Sequence, residues 1–325
     1  MTPLARSSTP RYNAPMSETK VGLFFPQVGI PYPSIRERAQ AADELGYHSL
    51  WVVDHMWARG LPDMDHLEAW TLMTALATST EKLRIGTLVL CNSYRNPALL
   101  AKMASTFDVV SNGRLELGIG AGWMDEEYRG YGYPFPSARE RIEQLEEGLV
   151  VMKKLFTESR ASFEGKYYSL DDAANNPKPL QKPHPPILIG GAGEKLLLRV
   201  VAEHANTWNC PNNASTELPR KLEVLKRHCD SVGRHFEEIE VSEQCICVLG
   251  ANEKDFKKKW TTAKQLLGAV FDLEKTAFRG TPSAVAEQLR ARREQGVTFF
   301  TMLFSDFNST ETLQLFAEKV VPELQ

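Results

Sequence analysis

The sequence predicts a single α/β domain, a (β/α)8 TIM barrel with an insertion between strands 4 and 5, and three observations carry that expectation. From Lys20 onward, short runs of strand character alternate with amphipathic runs of helical period, the pattern of a parallel sheet whose crossovers are helices. The count is eight strand candidates and nine helical ones, which closes most economically as a barrel. The first strand ends in Pro26-Gln-Val-Gly29 where a doubly wound dinucleotide fold would carry G-x-G-x-x-G, so the open-sheet alternative is disfavoured.

In chain order the strand candidates are VGLFFP (21–26), SLWVVD (49–54), LRIGTLVL (83–90), RLELGIG (114–120), PILIGG (186–191), NTWN (206–209), EVSEQCICVLG (240–250) and TFFTMLF (298–304). Helical periodicity occupies 34–45, 67–78, 97–110, 139–156, 195–204, 217–232, 253–267, 283–295 and 310–320. Gly46 follows the first helix, Ser-Asn-Gly113 closes the third, and the helix begun at Thr281-Pro-Ser stops at Gly296, so the punctuation agrees with the period. The segment 157–186 breaks the rhythm with a hairpin expected around Glu164-Gly165-Lys166 and a proline-rich run; an insertion of this length in a barrel commonly serves as a lid or pocket wall. Residues 1–19 read as a flexible tail, with prolines and arginines but no apolar core of a secretory signal. Residues 20–325 are then one domain.

Composition narrows the function classes. With 42% hydrophobic and 24% charged residues the chain has the profile of a soluble globular protein large enough for a sizeable core. A formal net charge of −3 supplies no basic footprint for nucleic acid, and no stretch reaches the roughly 18 apolar residues of a membrane span. A cytoplasmic protein acting on a small molecule is expected. The five cysteines contain no C-x-x-C and read as buried thiols. The seven histidines have no ligand spacing such as H-E-x-x-H, so no metal is expected.

In a barrel the C-terminal ends of the strands ring the active site, and strand 2 runs into Trp51-Val-Val-Asp-His-Met-Trp57, which places Asp54 and His55 at that rim. The plainer alternative is that Asp54 caps a loop and His55 packs beside Trp57. Strand 4 ends in Gly118-Ile-Gly-Ala-Gly122-Trp123, where Gly120, Ala121 and Gly122 allow close backbone approach to a ligand. Strand 5 ends in Gly190-Gly-Ala-Gly193 directly before a helix, the arrangement that presents a helix N-terminus to phosphate; tight turns alone also account for such glycines. Trp57, Trp123 and Trp208 fall at or just past strand ends, where aromatic faces can shape a pocket around a flat ring, although any one of them also suits a core. Glu126 and Glu127 follow strand 4 and offer a carboxylate, or simply acids in a first helical turn.

Several long phrases together resemble the luciferase-like monooxygenase family, the flavin and deazaflavin oxidoreductases. They are WVVDH (51–55), RNPALLAKMASTFDVVSNGRLELGIGAGW (95–123), YGYPFPSARERIEQLEE (131–147), FEGKYY (163–168), NPKPLQKPHPPILIGGAGEK (176–195) and FRGTPSAVAEQLRARREQGV (278–297), spanning about Val21 to Phe304. The resemblance implies a barrel that binds FMN or the 5-deazaflavin coenzyme F420 at the C-terminal strand ends. An Asp-His pair after strand 2 looks like the F420-using branch, which carries over Asp54 and His55 as catalytic and cofactor-site residues. Gly120 to Gly122 with Trp123 become cofactor contacts, and Gly190, Gly191 and Gly193 become phosphate-side contacts. At the end of strand 3 many relatives read glycine-valine in a cis peptide, and this chain reads Cys91-Asn92 there, so the resemblance implies that these two lie at the cofactor with a cis bond between them. Sugar-phosphate dehydrogenases of the F420 branch carry a glutamate about where Trp123 stands, which counts against that substrate.

The expectation is therefore an F420-dependent oxidoreductase moving a hydride between the deazaflavin and a small organic substrate, with His55 exchanging a proton, Asp54 orienting the site, and Trp57, Trp123 and Trp208 lining the substrate pocket. The alternative is an FMN-dependent two-component monooxygenase on the same barrel, which would need a separate reductase. The resemblance also suggests a homodimer.

Overall fold

The computed structural model describes residues 18–307 and 309–325. The expected tail falls outside the described residues as far as residue 17. Eight parallel strands form the barrel: β1 (Lys20–Phe24), β2 (Ser49–Val52), β3 (Arg84–Thr87), β4 (Leu115–Gly120), β5 (Ile187–Gly190), β6 (Thr207–Cys210), β7 (Glu240–Leu249) and β8 (Phe299–Phe304). Each pairs with the next, and β8 pairs with β1, so the sheet has no open edge in the ring. The helices around it are α1 (Tyr32–Glu44), α2 (Ala69–Ala77), α3 (Pro97–Val110), α4 (Ala138–Thr157), α5 (Leu197–His204), α6 (Leu218–Val232), α7 (Glu253–Leu267), α8 (Pro282–Glu294) and α9 (Glu311–Lys319). Every strand and helix expected from periodicity is present. Two short helices, Asp125–Gly130 and Leu273–Thr276, and a strand, Ala277–Gly280, that pairs with β7 outside the ring were not anticipated.

The barrel interior is built around one tryptophan. Trp51 lies opposite Gly86, and its indole N–H donates to Ser49 Oγ at 2.8 Å. Glycines on three strands leave it room: a Cβ at Gly22 would stand 2.8 Å from the indole Nε1, and one at Gly86 or Gly118 would stand 2.7 or 3.2 Å from Cζ3. Phe24, Leu188, Ile246, Phe299 and Leu303 fill the rest of this inner layer. The opposite faces of the strands, including Leu23, Leu50, Ile85, Ile119 and Ile189, bury against the helices in the larger outer core.

Helix starts follow their local chemistry. Asn96 accepts from the Ala98 N–H at 2.8 Å with Pro97 in the first turn, and Ser137 and Glu140 form a reciprocal capping box at the start of α4. The insertion contains the expected antiparallel hairpin, Ala161–Glu164 with Ser169–Ala173, whose turn is tied to α4 by Glu147 accepting from the N–H groups of Lys166 and Tyr167 at 2.9 and 2.8 Å. Its later part lies along α3, where Asn175 donates to Ser105 Oγ at 2.8 Å and Gln181 donates to Asp108. The insertion therefore clads the outside of the helices. All five cysteines are buried and unpaired, and among the described residues no helix is long and apolar enough to cross a membrane.

Strand 3 is shorter than the run 83–90 predicts. The run 83–90 is interrupted: β3 ends at Thr87, and only Leu90–Cys91 resumes pairing, against Ile119–Gly120. The non-proline cis peptide lies in that interruption, at Leu88-Val89, and the cis bond expected at Cys91-Asn92 is not there. Cys91 is extended and Asn92 opens a single 3-10 turn, so that expectation sat three residues too late.

Candidate active site

The residues after β2 are held by contacts that no local pattern reveals. Asp54 is buried, and its carboxylate takes both Arg95 guanidinium nitrogens, at 2.8 and 2.9 Å, plus the Cys91 N–H at 2.9 Å. Arg95 also donates to Glu68 at 2.7 Å, and Glu68 in turn caps α2 through the N–H groups of Trp70 and Thr71. One guanidinium thus braces the end of β2, the turn after β3 and the start of α2. Asp54 orients the rim through Arg95, whereas the group that holds His55 is a different acid.

That acid is Glu127, fully buried in the short helix after β4. Its Oε2 lies 2.8 Å from His55 Nδ1 and accepts from the Tyr94 hydroxyl at 2.8 Å; its Oε1 accepts from the N–H groups of Met56 and Trp57. Burial alone would raise this carboxyl, but the hydrogen bonds from His55, Tyr94 and Met56 outweigh it and hold Glu127 below the ordinary carboxylate value. A carboxylate only accepts, so the ring hydrogen sits on Nδ1, and Nε2 of His55 has no hydrogen-bond partner among the described residues. Glu126, its neighbour, is exposed.

Around this pair the rim is aromatic. Trp123 is 55% exposed, meets His55 edge-on at 5.6 Å between ring centroids, and carries the Arg59 guanidinium 5.4 Å from its own ring. Trp57 stacks on Tyr131 at 5.7 Å. Cys91 lies beneath, its Sγ 3.0 Å from the Tyr128 hydroxyl, and burial pushes its thiol up to about 11, so it stays protonated at neutral pH. Asn92 turns toward the insertion, donating to the Tyr168 hydroxyl at 3.2 Å. Trp208, expected in the pocket wall, stands elsewhere. It lies opposite Ile189 on the helix-facing side of the sheet, fully buried, and donates its indole N–H to the Gly191 carbonyl at 2.8 Å.

The glycines form the opposite flank. Gly120 and Gly190 both face Val89, whose side chain would lie 2.9 and 2.8 Å from an added Cβ. Gly122 has φ +77°, and a Cβ there would come 2.0 Å from the Tyr128 oxygen and 2.6 Å from Cys91 Sγ, so this turn tolerates no side chain. Gly191 and Gly193 lead toward α5, and in the turn just before that helix Glu194 receives Lys221 at 2.7 Å and Arg220 at 3.0 Å. The structure thus brings Asp54, His55, Trp57, Cys91, Gly120 to Trp123 and the β5 glycines to one face, and directs Trp208 and the Asn92 side chain away from it.

Arg95, Tyr94, Tyr128 and Glu68 were not singled out from sequence. The run Asn92-Ser-Tyr-Arg-Asn-Pro97, following a strand end as Asp54-His55 does, was the available signal.

A family model described as luciferase-like monooxygenase matches residues 8–271. The FMNH(2)-dependent dimethylsulfone monooxygenase of Pseudomonas putida is 28% identical over 320 residues, 88% of this chain and 86% of that one. An F420-dependent glucose-6-phosphate dehydrogenase of Kineococcus radiotolerans is 35% identical over 199 residues, 60% of this chain and 58% of that one. Among solved structures, an F420-dependent secondary alcohol dehydrogenase in complex with an F420-acetone adduct superimposes with a TM-score of 0.81 at 21% identity, covering 95% of this chain and 100% of that chain, which bears on the fold alone. With a barrel of this topology and a family match over most of its length, the chain belongs to the luciferase-like monooxygenase family.

Proposed function

We propose that the protein is an F420-dependent oxidoreductase that moves a hydride between the deazaflavin and a small organic substrate. The observation that carries the reading is His55 at the end of β2, its Nδ1 fixed by buried Glu127 and its Nε2 without a hydrogen bond in the described structure. The residues suit a phosphorylated cofactor at the end of β5, where the turn leads toward a helix N-terminus and Arg220 and Lys221, paired with Glu194, stand beside it; the glycines of the β4 and β5 turns are themselves packed against Val89, Tyr128 and Leu197. The deazaflavin, when bound, supplies a carbon that accepts or releases hydride and reacts sluggishly with oxygen. His55 then gives or takes the accompanying proton at Nε2, while Glu127 fixes the tautomer and the orientation of the ring. Asp54 and Arg95 hold the rim in place, and Trp57 and Trp123 offer an apolar wall to the substrate.

A second reading, an FMN-dependent two-component monooxygenase with a separate reductase, is favoured by one observation: the Pseudomonas putida relative aligns over 86% of its own length, against 58% for the Kineococcus dehydrogenase. Fluorescence titration with each cofactor separates the two. F420 is expected to bind at micromolar affinity or tighter and FMN at least about tenfold more weakly, roughly 1.4 kcal/mol. Tighter FMN binding, or oxygen-dependent turnover with reduced FMN, would sink the F420 assignment. On the same reading the protein is a homodimer, in line with exposed Leu99, Val109 and Val110 along α3, and light scattering checks it.

A further inference from the structure

One buried cation beside this face has no part in the scheme above. Arg141, near the start of α4, is buried and forms no ion pair among the described residues. Its guanidinium donates instead to two backbone carbonyls, that of Gly122 at 3.2 Å and that of Pro136, and lies 4.0 Å from the centre of the Phe135 ring. Taking a guanidinium out of water is costly unless its N–H groups are met, so a buried arginine committed to carbonyls marks backbone that has to be held. At Gly122 no strand ladder does the holding. β4 ends at Gly120, and two residues later the chain turns with φ +77° against Tyr128 and Cys91.

What lies between those two carbonyls is the segment that carries the mouth's acid. Gly122 leads through Trp123 into Asp125–Gly130, the short helix that bears Glu127 and Tyr128, and Pro136 closes the loop that follows. Phe135, beside the guanidinium, meets the Tyr128 ring edge-on at 4.7 Å. Tyr128 packs on Tyr94 at 5.3 Å, and the Tyr94 hydroxyl donates to Glu127 at 2.8 Å. One side chain therefore ties the entry of this segment to its exit and backs the aromatic stack beneath Glu127. We propose that Arg141 is a positioning residue: by clamping residues 122–136 at both ends it keeps the Glu127 carboxylate on His55 Nδ1. The inference rests on the reading of His55 and Glu127 as the proton-exchanging pair, but its test requires neither cofactor nor substrate.

The test labels histidine with nitrogen-15 and records side-chain nitrogen resonances and melting temperature for wild type, Arg141→Met and Leu149→Ala, with His55 assigned by the signals missing from His55→Gln. Methionine keeps the apolar stem but donates to neither carbonyl. Leu149, fully buried further along α4, reports what loosening that helix does by itself. Wild type is expected to show one His55 tautomer, with its hydrogen on Nδ1. In Arg141→Met the two nitrogens should move toward a common value as the ring, released from Glu127, samples the other tautomer at about 10% or more. Leu149→Ala should keep the wild-type pattern although it too melts lower than wild type. If the methionine variant does not fold, Arg141→Lys, which can reach one carbonyl but not span two, should show the same displacement to a smaller degree. Wild-type His55 resonances in the Arg141 variant, whatever its melting temperature, would overturn the inference. So would an equal displacement in Leu149→Ala, the behaviour of a merely structural arginine. A wild type with the hydrogen on Nε2 would instead bring down the reading of the pair, and this inference with it.

Discussion

Two buried glutamates, eleven residues apart on either side of the end of β4, behave in opposite ways. Glu116 points into the N-terminal end of the barrel, where its side-chain partner is the Arg84 guanidinium. Burial raises its carboxyl above the ordinary value, and the attraction of Arg84 offsets that only in part. Glu127, at the C-terminal mouth, is also buried but collects His55, the Tyr94 hydroxyl and the N–H groups of Met56 and Trp57, and is held below the ordinary value. Burial raises both; at Glu127 the hydrogen bonds from His55, Tyr94 and Met56 outweigh it, whereas at Glu116 the Arg84 guanidinium does not. One end of the barrel holds a carboxyl whose ionisation burial disfavours, whereas the other maintains a carboxylate that fixes His55 at the mouth.

The largest effect is expected where the mouth's bracing is removed. Arg95→Ala leaves Asp54 buried with only the Cys91 N–H as donor, and losing one partner of such a pair costs about 3–5 kcal/mol, read by calorimetric melting. A loss under about 1 kcal/mol would mean that Asp54 reaches water and that the rim is not braced this way.

The next effect is smaller and carries a sign. Glu127→Gln exchanges a multiply hydrogen-bonded carboxylate for an amide, at about 2 kcal/mol near neutral pH. Because the Glu127 value is lowered on folding, its stabilisation is present above the ordinary carboxylate value of 4.5 and is lost as pH falls through the depressed one. The gap between variant and wild type should therefore narrow on acidification. Glu116→Gln tests the opposite end with the opposite sign. The Glu116 value is raised, so its stabilisation is fully present below 4.5 and is lost as pH rises through the folded value. The variant should match or exceed wild-type stability, by no more than about 1 kcal/mol at pH 8, with the gain vanishing toward pH 4. Equal pH dependence in the two variants would erase the distinction between the ends.

The barrel was legible because each strand and helix announces itself within its own few residues, by period and by end signals such as Gly46 and Gly113. The position of Asp54 and His55 followed from the same local reading. Their partners did not, since Arg95 lies 41 residues from Asp54 and Glu127 lies 72 from His55, and only barrel closure brings them together. Trp208 misled because a four-residue strand gives too short an alternation to say which face meets the helices. The displaced cis bond has the same origin: 83–90 reads as one apolar run, and nothing local marks the break after Thr87.

The most direct measurement is turnover of His55→Ala at saturating F420, taken alongside cofactor affinity and melting temperature. Proton transfer by a positioned side chain contributes about 10²–10⁴-fold, while one lost contact to the ring costs about 1 kcal/mol in binding. The expected result is turnover per bound cofactor reduced by that factor, with affinity and melting temperature nearly unchanged. Turnover per bound cofactor close to wild type would contradict the account, removing His55 and the Glu127 carboxylate behind it from the chemistry.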